Sequence, residues 1–191
     1  MPGTIHTSSV ALVDALEQAW HDGAPLVSGL RTDQLAKATP CAGWDVEALL
    51  HHVLVECTVF TRGNAGPATE PVDERLPIEA LPQAWTDAAA ANVESWRRAG
   101  LGGERTYPFG TFPAEMAAIL NLGEVLVHSW DLAVATGREV TLDPRLASVV
   151  DAMYRSIDMT PYRGVVYGPE ITVPATASSG DRLLALLGRR P

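Results

Sequence analysis

The sequence predicts a mostly α-helical fold, a four-helix bundle with a short extra helix and minor β pieces. Three observations predict it: apolar residues recur at helical spacing over long segments, glycines stand where those segments would stop, and the strand-like pieces are short and interrupted by proline. Residues 9–22 form the first helical segment, closed by Gly23. The second, 45–62, has Asp45 as its N-cap and Gly63 as its stop. Residues 64–82, "NAGPATEPVDERLPIEALP", carry too many prolines for a regular element and predict a surface crossover able to shape the mouth of a site. The third segment, 80–99, ends at Gly100. "ERTYPF" at 104–109 reads as a strand, and Thr111 with Pro113 in the first turn opens a fourth helix over 113–136, ended by Gly137. A fifth spans 143–158, "VVYGPEITV" at 165–173 is the second strand-like piece, and a short helix covers 181–188. At 191 residues the chain suits one well-cored domain over 1–191, with an up-down-down-up or similar order of its four long helices.

Composition narrows the function classes. With 47% hydrophobic and 19% charged residues the chain is globular rather than disordered. A net charge of -9, without any cluster of Lys and Arg, argues against nucleic acid as a partner. The stretch "MPGTIHTSSVALVDALEQAW" has no basic leader, and no uninterrupted apolar run approaches the roughly 20 residues that span a bilayer. A soluble, cytoplasmic protein with no membrane partner is expected. Cys41 and Cys57 lack C-x-x-C spacing and read as small buried hydrophobes.

The fourth helical segment is the most apolar, yet "LGEVLVHSWDLAVATG" (122–137) places Glu124 and His128 one turn apart. At about 100° per residue, Asn121, Glu124, His128 and Asp131 share one narrow stripe. By pattern alone this is equally a solvent face, but such a face is usually dressed with Lys and Arg, and this one has neither. A carboxylate and an imidazole at i, i+4 are also spaced to give one metal ion two ligands from one helix. The second helix offers a third. His52 lies with Ala48, Leu49, Glu56 and Val59 on a mostly apolar side, whereas His51 shares the wet face with Glu47, Thr58 and Arg62. His6 and His21 read as exposed. His52, Glu124 and His128 therefore form the candidate metal set, the ligand inventory of a catalytic zinc site with an open position, which non-haem iron or nickel also fits.

Two blocks, "TPCAGWDVEALLHHV" (39–53) and "LGEVLVHSWDLAVATG" (122–137), resemble the two signature helices of the DinB-like bundle family in its actinobacterial branch. These are the proteins related to the N-terminal domain of mycothiol-dependent maleylpyruvate isomerase. The ending "YGPEITVPATASSGDRLLALLGRRP" is similar to that of single-domain members, so the resemblance covers nearly the whole chain, least well at 64–105. In that family the histidine closing the W-[DT]-V-x-x-L-x-x-H block and both ends of the E-x-x-x-H block bind a divalent metal, usually taken as zinc. Carried over, these positions are His52, Glu124 and His128, the trio that the helical wheels also select. The resemblance further implies a DinB-like four-helix bundle, a mycothiol-like thiol at the metal, and pairing of subunits through helices as a homodimer. The isomerase completes its active site with a C-terminal domain for which this chain has no room, so maleylpyruvate isomerisation does not transfer directly.

A zinc ion lowers the pKa of bound water toward roughly 7 and deprotonates a bound thiol outright. Two mechanisms follow. In one, a low-molecular-weight thiolate at the metal attacks a small electrophile, making the protein a transferase or isomerase. In the other, metal-bound hydroxide hydrolyses an ester or amide, with Glu56 or Asp131 as the base. The resemblance favours the thiol route. Glu56 and Asp131 are thus the candidate catalytic residues, with Asp131 equally able to orient an imidazole. Arg97, Arg98 and Arg105 are candidates for anchoring the thiol or an acidic substrate. Asn121 reads as a buried hydrogen-bonding group, and Trp44 and Trp130 as core. A non-catalytic, stress-associated metal-binding module is the third reading, marked by a site closed with four protein ligands.

Overall fold

The computed structural model describes residues 9–68 and 76–191; His6 and residues 69–75 of the expected crossover lie outside them. In chain order come α1 (Ser9–Ser28), α2 (Val46–Gly63), α3 (Leu81–Ala99), the strands β1 (Glu104–Tyr107) and β2 (Gly110–Pro113), α4 (Ala114–Ala135), α5 (Pro144–Arg155) and α6 (Ser179–Leu186). The strands pair antiparallel, with Glu104 opposite Pro113.

The first four helices form the bundle, α1 and α2 each packing against both α3 and α4. Side-chain bonds fix their directions. Trp85 Nε1 donates to Trp20 O while Arg97 pairs with Glu17, so α1 and α3 are antiparallel. Asn92 donates to Cys57 O and Asn64 donates to Ser95 Oγ, so α2 and α3 run parallel. Asn121 meets Cys57 and Glu124 meets His52, so α4 runs against α2. The order is up-down-down-up. Parallel neighbours need a long return connection, which explains why the proline-rich stretch falls between α2 and α3.

Several boundaries differ from expectation, each for a packing reason. Gly23 does not stop α1, which continues through Pro25 to Ser28. A Cβ at Gly23 would lie 2.5 Å from the Trp85 ring and 2.7 Å from Ser129 Oγ, so glycine there serves close helix packing. Gly63 likewise ends α2 against the Tyr107 ring, without a positive φ. Gly100 and Gly137, at φ +65° and +74°, are stops at positive φ, where glycine is unstrained. Asp45 caps α2 as expected, accepting from Ala48 N at 2.9 Å. Thr111 does not cap α4. It sits in β2 and shares a hydroxyl hydrogen bond with Thr106, leaving Pro113 at the helix start with no side-chain acceptor. The 165–173 stretch is not a strand either. Pro169 removes a donor, and what forms is an isolated bridge between Arg163 and Tyr167.

α4 is long and apolar enough, by length and composition, to cross a membrane. Most of it is buried in this fold, packed against α1, α2 and α5, so its apolar character is that of the central helix. It presents its polar stripe to the interior of the protein rather than to solvent.

Candidate metal and substrate site

The site begins in the turn before α2. Thr39 Oγ1 donates to Trp44 O and accepts from Cys41 N, and Gly43 takes a φ of +83° to close the loop. This turn sets Cys41 and Trp44 beside the first turns of α2. The Trp44 ring lies 4.5 Å from the His52 ring, centroid to centroid, and limits the imidazole's freedom.

Across from α2, α4 delivers Glu124 and His128. Glu124 Oε2 lies 3.1 Å from His52 Nε2 and 3.3 Å from His128 Nε2. One ligand atom from each of the three residues falls within 4.8 Å of the other two. Two imidazole nitrogens and a carboxylate oxygen converging at this distance suit a divalent ion of the zinc, iron or nickel type. Burial opposes ionisation of Glu124, but hydrogen bonds from His128 and His52 outweigh it and hold the carboxyl well below its usual range. Burial also disfavours charge on His128; its contacts with Asp131, Cys41 and Glu124 reverse this and raise it well above its ordinary value.

Behind His128 stands a second layer. Its Nδ1 lies 2.9 Å from Asp131 Oδ2, which fixes the ring's orientation and leaves Nε2 facing Glu124. Asp131 is 0% exposed and would be costly to bury alone. Arg189, just beyond α6, compensates it, Nη2 donating at 2.8 Å and Nε at 3.2 Å. Against the cost of burial, these bonds keep the Asp131 carboxyl below its usual range. The tail that carries Arg189 is anchored: Arg163 donates to Gly168 O and Leu186 O, and Gly188, at φ +84°, packs so closely on Gly168 that a Cβ would lie 2.7 Å from its Cα.

Cys41 Sγ lies 3.2 Å from Asp131 Oδ2 and 3.8 Å from His128 Nδ1. Cys41, His128 and Asp131 thus bring a second set of ligand atoms together. There, however, the Arg189 guanidinium already stands as the cation, 3.2 Å from the sulfur and 2.8 Å from the carboxylate. Of the two sets, the first is the one whose three members all line open space. It borders a cavity of about 600 Å³ whose walls also include Cys41, Trp44, Tyr154 and Tyr167.

The other sequence candidates are distributed around this centre. Glu56 is half-buried one turn beyond His52; burial first, then the charge of Glu124, pushes its carboxyl up, and it does not line the cavity. Arg97 pairs with Glu17 at 2.6 Å and Arg98 with Glu94. Arg105 donates to Asn64 and to the carbonyls of Ala99 and Gly100, closing the end of α3. The structure brings none of these arginines to the cavity wall. Asn121 is fully buried, accepting from Trp96 Nε1 at 2.8 Å, and Trp130 is core. His51 lies beside Glu47 and Leu54 on another face, and His21 is exposed.

Two expectations are corrected. Trp44 is a wall of the cavity rather than core, and Cys41 is a half-buried wall residue rather than a buried hydrophobe. Sequence reasoning missed Arg189, Tyr154 and Tyr167. An arginine directly after the apolar run "LLALLG" was the available signal for the first; the tyrosines had none.

Comparison with known proteins identifies the family and the fold. The sequence profile described as "Mycothiol maleylpyruvate isomerase N-terminal domain" matches residues 16–133. Two uncharacterized proteins, from two strains of Mycobacterium tuberculosis, are each 34% identical over 170 residues, covering 87% of this chain and 91% of their own length. The crystal structure of the mycothiol-dependent maleylpyruvate isomerase superposes with a TM-score of 0.62 at 16% identity, over 76% of this chain and 69% of that one. A mutant of that enzyme, with a histidine replaced by alanine, gives 0.61 at 15% identity, with the same coverage of both chains.

Proposed function

This chain belongs to the mycothiol maleylpyruvate isomerase N-terminal domain family, with its DinB-like four-helix bundle, and from that premise we propose that it is a metal-dependent, thiol-using transferase or isomerase of small electrophiles. The observation that carries the proposal is the convergence of His52 Nε2, Glu124 Oε2 and His128 Nε2 at the wall of a large cavity. Three donors facing open volume favour catalysis over a closed structural site, which takes four. We read the protein as a single cytoplasmic domain over residues 1–191, with zinc as the metal and a mycothiol-like thiol as co-substrate.

His52, Glu124 and His128 would hold the ion. Bound there, it supplies a Lewis-acidic centre at which a thiol stays deprotonated at neutral pH. The chain's own residues do the rest. Asp131 holds the His128 ring through Nδ1, which leaves Nε2 beside Glu124 as the nitrogen that would bind the ion, and Arg189 keeps Asp131 ionised. Trp44 packs on His52 and restrains the ring on that side. Asp131 acts through His128 and is a positioning residue.

The test is metal content. Purified wild type should retain about one equivalent of divalent metal, and His128→Ala should lose most of it, with a low-molecular-weight thiol protecting only the wild type. Equal, negligible metal in both proteins would defeat the proposal.

A further inference from the structure

We propose that the cavity selects an uncharged carbonyl electrophile with an apolar body and discriminates against carboxylates. This deepens the thiol reading and rests on it for the charge count that follows.

Among the described residues, Arg189 is the one Lys or Arg at the cavity wall. Its guanidinium spends four of its five N–H groups inside the protein, and its charge is balanced by Asp131: Nε and Nη2 donate to Asp131, Nη2 also meets Cys41 Sγ, and Nη1 donates to Leu187 O. A divalent ion, the Glu124 carboxylate and one thiolate together sum to zero charge. No positive charge is left for the substrate. A carboxylate entering this volume would lose hydration with no cation in return, a cost of several kcal/mol for an unpaired ion. The chain's net charge of -9 adds to the repulsion.

The rim is apolar where the centre is polar. Val165 and Val166 stand 84% and 61% exposed, yet both line the cavity, whose walls also include Trp44 and Val127. Adjacent exposed valines at a pocket mouth are the surface that an apolar ligand would cover. Their segment is held in place: Gly164 turns at φ +77°, its N–H donating to Tyr167 O, and Arg163 ties the segment to the tail.

One polar feature on the wall is suited to an uncharged oxygen. The hydroxyls of Tyr154 and Tyr167 lie 3.0 Å apart. Two phenols joined by one hydrogen bond hold two protons, so one O–H remains to donate to a ligand carbonyl. An α,β-unsaturated ketone or ester fits all three features. Adding a thiol to it forms a C–S bond at the β-carbon and breaks the alkene π bond to give an enolate, whose carbonyl reforms as the α-carbon takes up the thiol proton. Nothing else is consumed.

The test separates binding from catalysis. Zinc-loaded protein with 2-mercaptoethanol at the open position is titrated calorimetrically with methyl 3-phenylpropanoate and with 3-phenylpropanoate, neither of which reacts with thiols. The ester should bind at least tenfold more tightly, Tyr167→Phe should weaken it about fivefold, and Val166→Lys should bring the carboxylate level with the ester or ahead of it. Equal affinities, or preference for the carboxylate in wild type, would overturn the proposal. In parallel, consumption of 4-phenylbut-3-en-2-one by 2-mercaptoethanol is compared with and without protein. No acceleration alongside a preserved ester preference would refute the thiol-transfer reading and leave the selectivity standing; acceleration without ester preference would do the reverse.

Discussion

Asn121 and His128 lie on the same stripe of α4, two turns apart, and do opposite things with their polarity. At Asn121 the bonding closes on itself: the amide oxygen accepts from Trp96, the amide nitrogen donates to Cys57 Sγ, and the side chain is 0% exposed. Around His128 it stays open. One carboxylate oxygen of Glu124 serves two imidazoles, and all three face a cavity of about 600 Å³. A polar stripe on an apolar helix therefore states that polar groups are buried, while the partners brought by other elements decide whether they lock the bundle or hold a ligand. At the closed end those partners come from α2 and α3. At the open end they come from α2 through His52, from the turn before α2 and from the tail after α6.

The largest expected effect follows from removing the tail's contribution. Arg189→Ala leaves Asp131 buried with His128 as its one remaining ionisable partner of opposite charge, which should lower unfolding free energy by about 3 kcal/mol in denaturant titration. The same variant should weaken metal binding, because Asp131 then loses the cation that keeps it ionised against His128. A change below about 1 kcal/mol would mean that the tail does not support the site, and the open end would then rest on α2 and α4 alone.

Asn121→Ala probes the closed end. It leaves Trp96 Nε1 buried without an acceptor, so about 1–3 kcal/mol should be lost. Metal content should stay at the wild-type level. If it fell instead, the two ends of the stripe would be one energetic unit, and the contrast drawn between them would fail.

Periodicity made the helices and the inward face of α4 legible, because helix packing repeats along the chain and leaves a repeating pattern. It also selected His52 over His51, which lies on another face, as one wheel position separates the two. What it could not supply were contacts made across long sequence separation. Arg189 reaches Asp131 from 58 residues away, and Cys41 reaches it from 90. Gly23 was misread for a related reason. A glycine at a helix end and a glycine beneath a tryptophan ring from another helix look the same in sequence, and only the position of Trp85 tells them apart. The strand expected at 165–173 failed because Val165 and Val166, ahead of Gly168 and Pro169, line a cavity instead of pairing in a sheet.

Glu56 is the finest test of where the open end stops. Its carboxyl feels the charges of Glu124, His52 and His128, but the side chain is half-buried beside the trio and does not reach the cavity wall. Replacing it by glutamine removes a nearby negative charge, so metal affinity should fall only slightly, within about fivefold, the scale of a partly screened ion pair. Thiol-transfer turnover should change no more than that. A hydrolytic mechanism that used Glu56 as the base predicts a loss of about 10²–10⁴-fold for the same variant. The two outcomes are separated by more than a decade in a single rate measurement on metal-matched proteins. A hundredfold loss would extend the reacting site one turn further along α2 and make Glu56 a participant in the chemistry.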